Sequence, residues 1–313
     1  VTWDGYTKPT GNVVVPQTVT YGQNTYTVIG LKNKCFKECD GIVNISLPAT
    51  IDSIGENAFY YCTALTSIVI PNSVKAIGEA AFYYCTALQS VTLSDSLRCI
   101  GSSVFNSCWR LTSISIPSSV DSICDAAFGG TGISSITIPS SVKFIGGSAF
   151  RNTYNLASIS LPSSIRYIQQ YAFEGSAYYN NSANWVDSTL YISNHLIKMN
   201  RMVSGTLTLP AGTIGIADNA IASADNIEAL SLPSSLKYIG NNAFANSYIL
   251  ASANLPSGLE RIGDRAFSGC LALENVSFGS SLKHIGEYAF ENCNLLRTIE
   301  LPYSLQTIGA GVF

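Results

Sequence analysis

The residues Ile54-Gly55-Glu56-Asn57-Ala58-Phe59 return as Ile77-Gly78-Glu79-Ala80-Ala81-Phe82, 23 positions further on. A fixed period of this size leaves a chain few ways to fold. Each copy is too short to bury its own apolar face and does so only by stacking on its neighbours, as in a solenoid. The same core, with small departures, begins at Ile100, Ile123, Ile145, Ile168, Ile239, Ile262 and Ile285, and a degenerate copy begins at Ile216. One elongated array is therefore expected in place of the roughly two globular domains that 313 residues would otherwise suggest. Charged residues make up 12% of the chain and hydrophobic ones 47%, where ~25% charged is usual. Such a chain fills a core readily.

The columns of one copy predict its local structure. Leu65, Ile68 and Ile70 alternate as a half-buried strand, and Pro71, which has no N–H to give to a ladder, ends it. Ser73-Val74 through Ile77 supplies a second, shorter extended piece, and Ala58-Phe59 with its polar flanks suits one helical turn. The expected fold class is thus an α/β repeat solenoid with one parallel strand, a short extended piece and a helical turn per repeat. Its coil is expected to be right-handed, as parallel crossovers are.

Four segments follow from where the register starts and breaks. Residues 1–28 read as an N-terminal β cap, with strands around Val13-Val14-Val15 and Thr18-Val19-Thr20-Tyr21 and a Gly22-Gln23 turn before Thr25-Tyr26-Thr27. Residues 29–176 form a first block of repeats. Residues 177–205 are an insertion: an aromatic loop, Ala177-Tyr178-Tyr179 to Trp185, then a β-hairpin from Thr189-Leu190-Tyr191-Ile192 through Ser193-Asn194-His195 to Leu196-Ile197-Lys198-Met199. The expectation is an excursion hung on the array. Residues 206–313 form a second block, which stops in mid-repeat at Ile308 to Phe313 without a cap.

Nine cysteines invite a disulfide reading, but six of them, Cys39, Cys62, Cys85, Cys108, Cys270 and Cys293, share one column, three residues after the Phe. Elsewhere that column holds Thr131, Thr153, Ser176, Ala224 and Ser247. A column that accepts Cys, Ser, Thr or Ala asks for a small buried side chain. Cys35, Cys99 and Cys124 lie off it, and the pattern gives them no role.

The unit Leu-x-x-Ile-x-Ile-Pro-x-Ser-Val-x-x-Ile-Gly-x-x-Ala-Phe-x-x-Cys resembles the BspA-like class of leucine-rich repeats over most of residues 29–313. The resemblance implies a leucine-rich-repeat superhelix. Because members of that class are largely secreted or surface proteins of bacteria, several of them adhesins, it also implies an extracellular or cell-surface location. The implied role is protein binding and adhesion to a host or microbial surface protein, or to a glycan. A stiff spacer displaying another domain is the alternative.

Chemistry is sparse. His195 falls in the inserted hairpin and His284 in a surface column, and no Cys or His pair has zinc spacing. Glu56 and Glu79 share a column that continues as Ser102, Asp125, Gly147 and Asp264, the profile of a solvated edge. The expectation is a protein that is not an enzyme, with no catalytic site, metal or cofactor. A net charge of −3 and a pI near 5.4 argue against nucleic acid, and no apolar run is long enough to span a membrane. A basic column, Lys75, Arg98, Lys143, Arg166, Lys237 and Lys283, is interrupted by Asp52, Asp121 and Glu260.

Partner-binding candidates come from departures within the columns. The two positions after the Phe hold Lys37/Glu38, Asn106/Ser107, Arg151/Asn152 and Glu291/Asn292, yet two adjacent copies place Tyr60/Tyr61 and Tyr83/Tyr84 there. Neighbouring coils lie about 5 Å apart, so these rings should form one patch with Trp109 of the third copy. Tyr178, Tyr179 and Trp185 of the insertion complete the candidates.

Overall fold

A computed structural model describes residues 7–200, 204–221 and 224–313. The chain forms two compact units, residues 1–165 with 171–181, and residues 166–170 with 182–313.

In the first unit the main strands stack in parallel. Gly11–Val14, Ile42–Ser46, Ser67–Val69 and Ser90–Thr92 make one sheet, and Ser135–Thr137 pairs with Ser158–Ser160. The shorter pieces pair too: Gly30–Leu31 with Ser53–Ile54 and Ala76–Ile77, and Cys99–Ile100 with Ser122–Ile123 and Phe144–Ile145. Register follows the period, so that Ile54 faces Ile77 and Ile100 faces Ile123. Between Leu111 and Ile116 the copy packs both residues as the others do but forms no strand.

The β-hairpin expected within residues 1–28 is present as Thr18–Tyr21 against Asn24–Thr27. Its eight residues are all exposed, however, so it covers no core. The strand that extends the array is Gly11–Val14, which pairs with Ile42–Ser46.

In the second unit, Gly205–Thr208, Ile227–Ser231, Ser252–Asn254 and Asn275–Ser277 form one parallel sheet. The other sheet runs through Gly215–Ile216, Tyr238–Ile239, Arg261–Ile262, His284–Ile285 and Thr307–Ile308. The inserted hairpin, Thr189–Ile192 with His195–Met199, lies where its turn chemistry placed it. It is not an excursion: its second strand pairs in parallel with Gly215–Ile216 and so belongs to this sheet.

Phenylalanines fill the axis of each unit. Phe59, Phe82, Phe105, Phe128, Phe150 and Phe173 are fully buried and stack with centroids 5.0 to 5.7 Å apart. Phe244, Phe267 and Phe290 repeat this at 5.1 and 5.2 Å. Burying one such ring contributes about 1.5–3 kcal/mol. The six column cysteines are buried beside them as free thiols. From the second copy on, each thiol donates to the Phe carbonyl of the coil before, as Cys85 Sγ does to Phe59 at 3.1 Å and Cys108 Sγ to Phe82 at 3.2 Å. Thr131, Thr153 and Ser247 occupy the same column but turn their hydroxyls to the Phe carbonyl of their own coil. The side chain of Ala224 lies outside the described residues.

The helical turn is absent, so the α/β expectation fails and the repeats are β coils closed by turns. Asn57 and Tyr61 adopt left-handed backbone, with φ of 54° and 59°. Equivalent residues form two columns, Ala80 and Tyr84 in the next copy, Ser103 and Ser107 in the one after. These twists point alternate peptides outward. Asn57, Phe59 and Tyr61 donate to Glu79, Ala81 and Tyr83 of the following coil at 2.7 to 2.9 Å, whereas Ala58, Tyr60 and Cys62 close local turns. Helical backbone points all its N–H groups the same way along the turn, whereas here alternate N–H groups go to the next coil. Among the described residues, helix appears only at Ala177–Asn180, Ser182–Asn184 and Ala224–Asn226, the last beginning at the small-residue column of its copy.

Candidate partner-binding site

The turn just described decides where the tyrosines go. Each follows the buried Phe, so its side chain leaves the coil surface, and the coil-to-coil hydrogen bond from Tyr61 N to Tyr83 O at 2.9 Å fixes the spacing. The rings stack along the array. Tyr60 lies on Tyr83 at 5.1 Å and Tyr61 on Tyr84 at 4.4 Å, with Tyr60 and Tyr61 tilted together at 4.7 Å. Lys37 Nζ sits 5.3 Å from the Tyr60 centroid at one end, a cation–π contact. At the other, Trp109 meets Tyr84 edge-on at 5.1 Å and stays 54% exposed. All four tyrosines are half-buried. Loss of solvent, and then the neighbouring Tyr60, Tyr83 and Tyr84, raise the Tyr61 phenol above its ordinary pKa.

The structure thus brings five of the eight candidates together. Tyr178 and Tyr179 stand apart in the same unit, on the short helix Ala177–Asn180. Its N-cap Ser176 accepts from Tyr179 N at 3.1 Å, and Tyr178 N donates to Leu156 O at 2.7 Å. Burial raises both phenols. Trp185 belongs to the second unit, in Trp185–Val186 paired with Thr189–Ile192.

A second cluster carries more polar chemistry than column reading suggested. Strands place His195, Gly215 and Tyr238 in one row across three coils. A Cβ on Gly215 would overlap the Tyr238 ring, so only glycine lets that tyrosine cross to His195 Nδ1, 2.9 Å from its hydroxyl. Both residues are buried. Segment Arg166–Gln170 lies against the same unit: Tyr167 donates to Asp218 Oδ2 at 3.1 Å, Asp218 N to Ile168 O at 3.0 Å, and Arg261 covers the Tyr167 ring at 5.2 Å. Burial lifts the Asp218 carboxyl to about 6 against the pull of Asn241 N–H, Tyr167 and Arg261. The cluster is a packed interior network. The sequence gives little signal of it, because Asp218 falls in the same column as Glu56 and Glu79, and Gly215 in a mixed column with Ser53, Cys99 and Arg261.

The acidic column is no bare solvated edge. Asp218 Oδ1, Asn241 Oδ1 and Asp264 Oδ1 accept from the backbone N–H of Asn241, Asp264 and Glu287 on the next coils, at 2.7, 2.6 and 2.9 Å. The basic column is partly neutralised, since Glu260 bonds Arg166 at 2.9 Å and Lys283 at 3.3 Å. Burial alone would raise Glu260, but these two cations hold it below its usual range. Among the described residues no group of His, Cys, Asp and Glu is arranged to hold a metal ion, and no helix is long and apolar enough to cross a membrane.

The chain is similar to several solved repeat proteins. A leucine rich cell surface protein from Faecalibacterium prausnitzii A2-165 is 24% identical with a TM-score of 0.42, over 92% of this chain and 87% of its own. A leucine-rich repeat protein from Bacteroides ovatus ATCC 8483 is 24% identical with a TM-score of 0.43, over 94% and 87%. The leucine rich repeat protein of T. pallidum is 23% identical with a TM-score of 0.37, over 76% and 77%. No curated protein matches. The family described as BspA type leucine rich repeat region (6 copies) matches residues 19–131, 98–226 and 214–313, which leaves only the first 18 residues outside. With its repeats stacked coil on coil, the chain belongs to the BspA-type leucine-rich repeat family.

Proposed function

We propose that this chain is a non-catalytic binding module of the cell surface or extracellular space, and that it docks a host or microbial surface protein on the ladder of Tyr60, Tyr61, Tyr83, Tyr84 and Trp109. The observation that carries the reading is the exposed Trp109 at the end of four mutually stacked tyrosines, in columns that are polar in most other copies. Aromatic side chains held rigid before binding lose little conformational freedom on contact, which is why tyrosine and tryptophan dominate binding surfaces. Family membership supports a binding module in general terms. Tyr178, Tyr179 and Trp185 are secondary candidates.

The test replaces Tyr60, Tyr61, Tyr83 and Tyr84 together by Ser and compares capture from arrays of bacterial and host surface proteins and of glycans. The native chain should retain a protein that the variant binds at least about tenfold more weakly, a loss of about 1.4 kcal/mol. Capture of glycans alone would move the reading to a carbohydrate surface, and equal affinity for both chains would remove the ladder from it. A spacer is the second reading, favoured by the way the rings satisfy one another. It predicts no capture by either chain.

A further inference from the structure

Cys99 and Cys124 stand outside the buried thiol column and share one surface. Strand Cys99–Ile100 pairs with Ser122–Ile123 so that Cys99 faces Ser122 and Ile100 faces Ile123. Side chains alternate along a strand. With both isoleucines buried, Cys99 therefore points outward and is exposed, while Cys124, which directly follows the paired strand on the adjacent coil, is half-buried. The Cys124 N–H donates to Ile100 O at 2.9 Å, which anchors it beside the coil that carries Cys99.

Cys124 also occupies the column held by Gly55, Gly78, Gly101 and Gly146 in neighbouring copies. A Cβ at Gly78 would come within 2.4 Å of Glu56 N, and one at Gly146 within 2.6 Å of Asp125 N. A side chain in this column thus projects onto the preceding coil. At position 124 it projects toward the coil of Cys99. Burial, then the neighbouring Cys99, hold the Cys124 thiol up at about 11, while Asp121 and Asp125 lie alongside. The exposed member, Cys99, is the one a reagent reaches first.

We propose that Cys99 and Cys124 form a surface dithiol that closes to a disulfide by exchange with a small-molecule disulfide. The Cys99 thiolate attacks one sulfur of the oxidant, its S–S bond breaks, and one small thiol leaves as the mixed disulfide forms. The Cys124 thiolate then attacks Cys99 Sγ and expels the second small thiol. The protein gives up two protons and two electrons, and one oxidant disulfide becomes two thiols. Closure ties together the coils on either side of Trp109, and oxidising compartments outside the cell favour it.

The experiment treats the full chain with glutathione disulfide in mildly alkaline buffer and reads intact mass and a peptide map. The expected product is lighter by two hydrogens with the Cys99 and Cys124 peptides joined, while the six column thiols stay protected from alkylation until the chain is denatured. Cys124→Ser should instead stop at one glutathione on Cys99, and Cys99→Ser should leave Cys124 free. Glutathione accumulating on native Cys99 without closure, no reaction at either thiol, or linkage of either to Cys35 would overturn the proposal.

Discussion

Left-handed backbone costs a residue with a Cβ about 1–2 kcal/mol, yet each typical coil accepts it twice, at positions such as Asn57 and Tyr61. The compensation is the coil-to-coil hydrogen bond that each twist makes possible. Ser103, with φ of 56°, gives a direct measure. Ser103→Gly should stabilise the chain by about 0.5–1 kcal/mol and Ser103→Val should destabilise it by more than that, read as denaturation midpoints; equal midpoints would show that the strain is not felt. Sequence reasoning missed this because the column holds Lys34, Asn57, Ala80, Ser103 and Tyr288 as well as Gly311, so residue identity does not announce the conformation. The column of Cys62 and Cys85 was legible for the opposite reason. Its substitutes are all small, and size is what the packing there selects.

At the scale of elements, hairpin Thr189–Ile192 with His195–Met199 was readable from alternation and its turn. That its second strand joins the sheet was not, since a parallel partner 20 residues away leaves no local mark. The contact of Tyr167 with Asp218 was equally hidden, because it depends on where the chain returns after the insertion. Asp218 makes that contact testable by pH. Its folded pKa, about 6, stands above the ordinary 3.8, so the fold prefers the protonated form. The associated stability is full below 3.8 and is lost as pH rises through about 6. Asp218→Asn should abolish this slope and leave the second unit more stable at pH 7 by on the order of 1–2 kcal/mol, measured by denaturant titration between pH 4 and 7. A parallel slope in both chains would assign it to other groups.

On the scale of the molecule, repetition made the architecture readable: one period, seen often enough, fixed the strand columns, the Phe stack and the thiol column together. The candidate site was legible only as a departure from that period. The Tyr60–Tyr83 stack follows from placing tyrosine twice in one column, whereas His195 meets Tyr238, and Tyr167 meets Asp218, through contacts that no column encodes.

The alternating turn has a mechanical consequence. Within a unit, each coil is fastened to the next by amides such as Phe59 to Ala81 and Tyr61 to Tyr83, all directed from one coil to its neighbour. Tension applied at the chain ends therefore loads one coil boundary at a time and peels the unit turn by turn. Each rupture should release about 80 Å of contour, the reach of one period of chain, and force spectroscopy should show a regular sawtooth with that spacing. A single rupture that frees a whole unit would mean that the coils yield together.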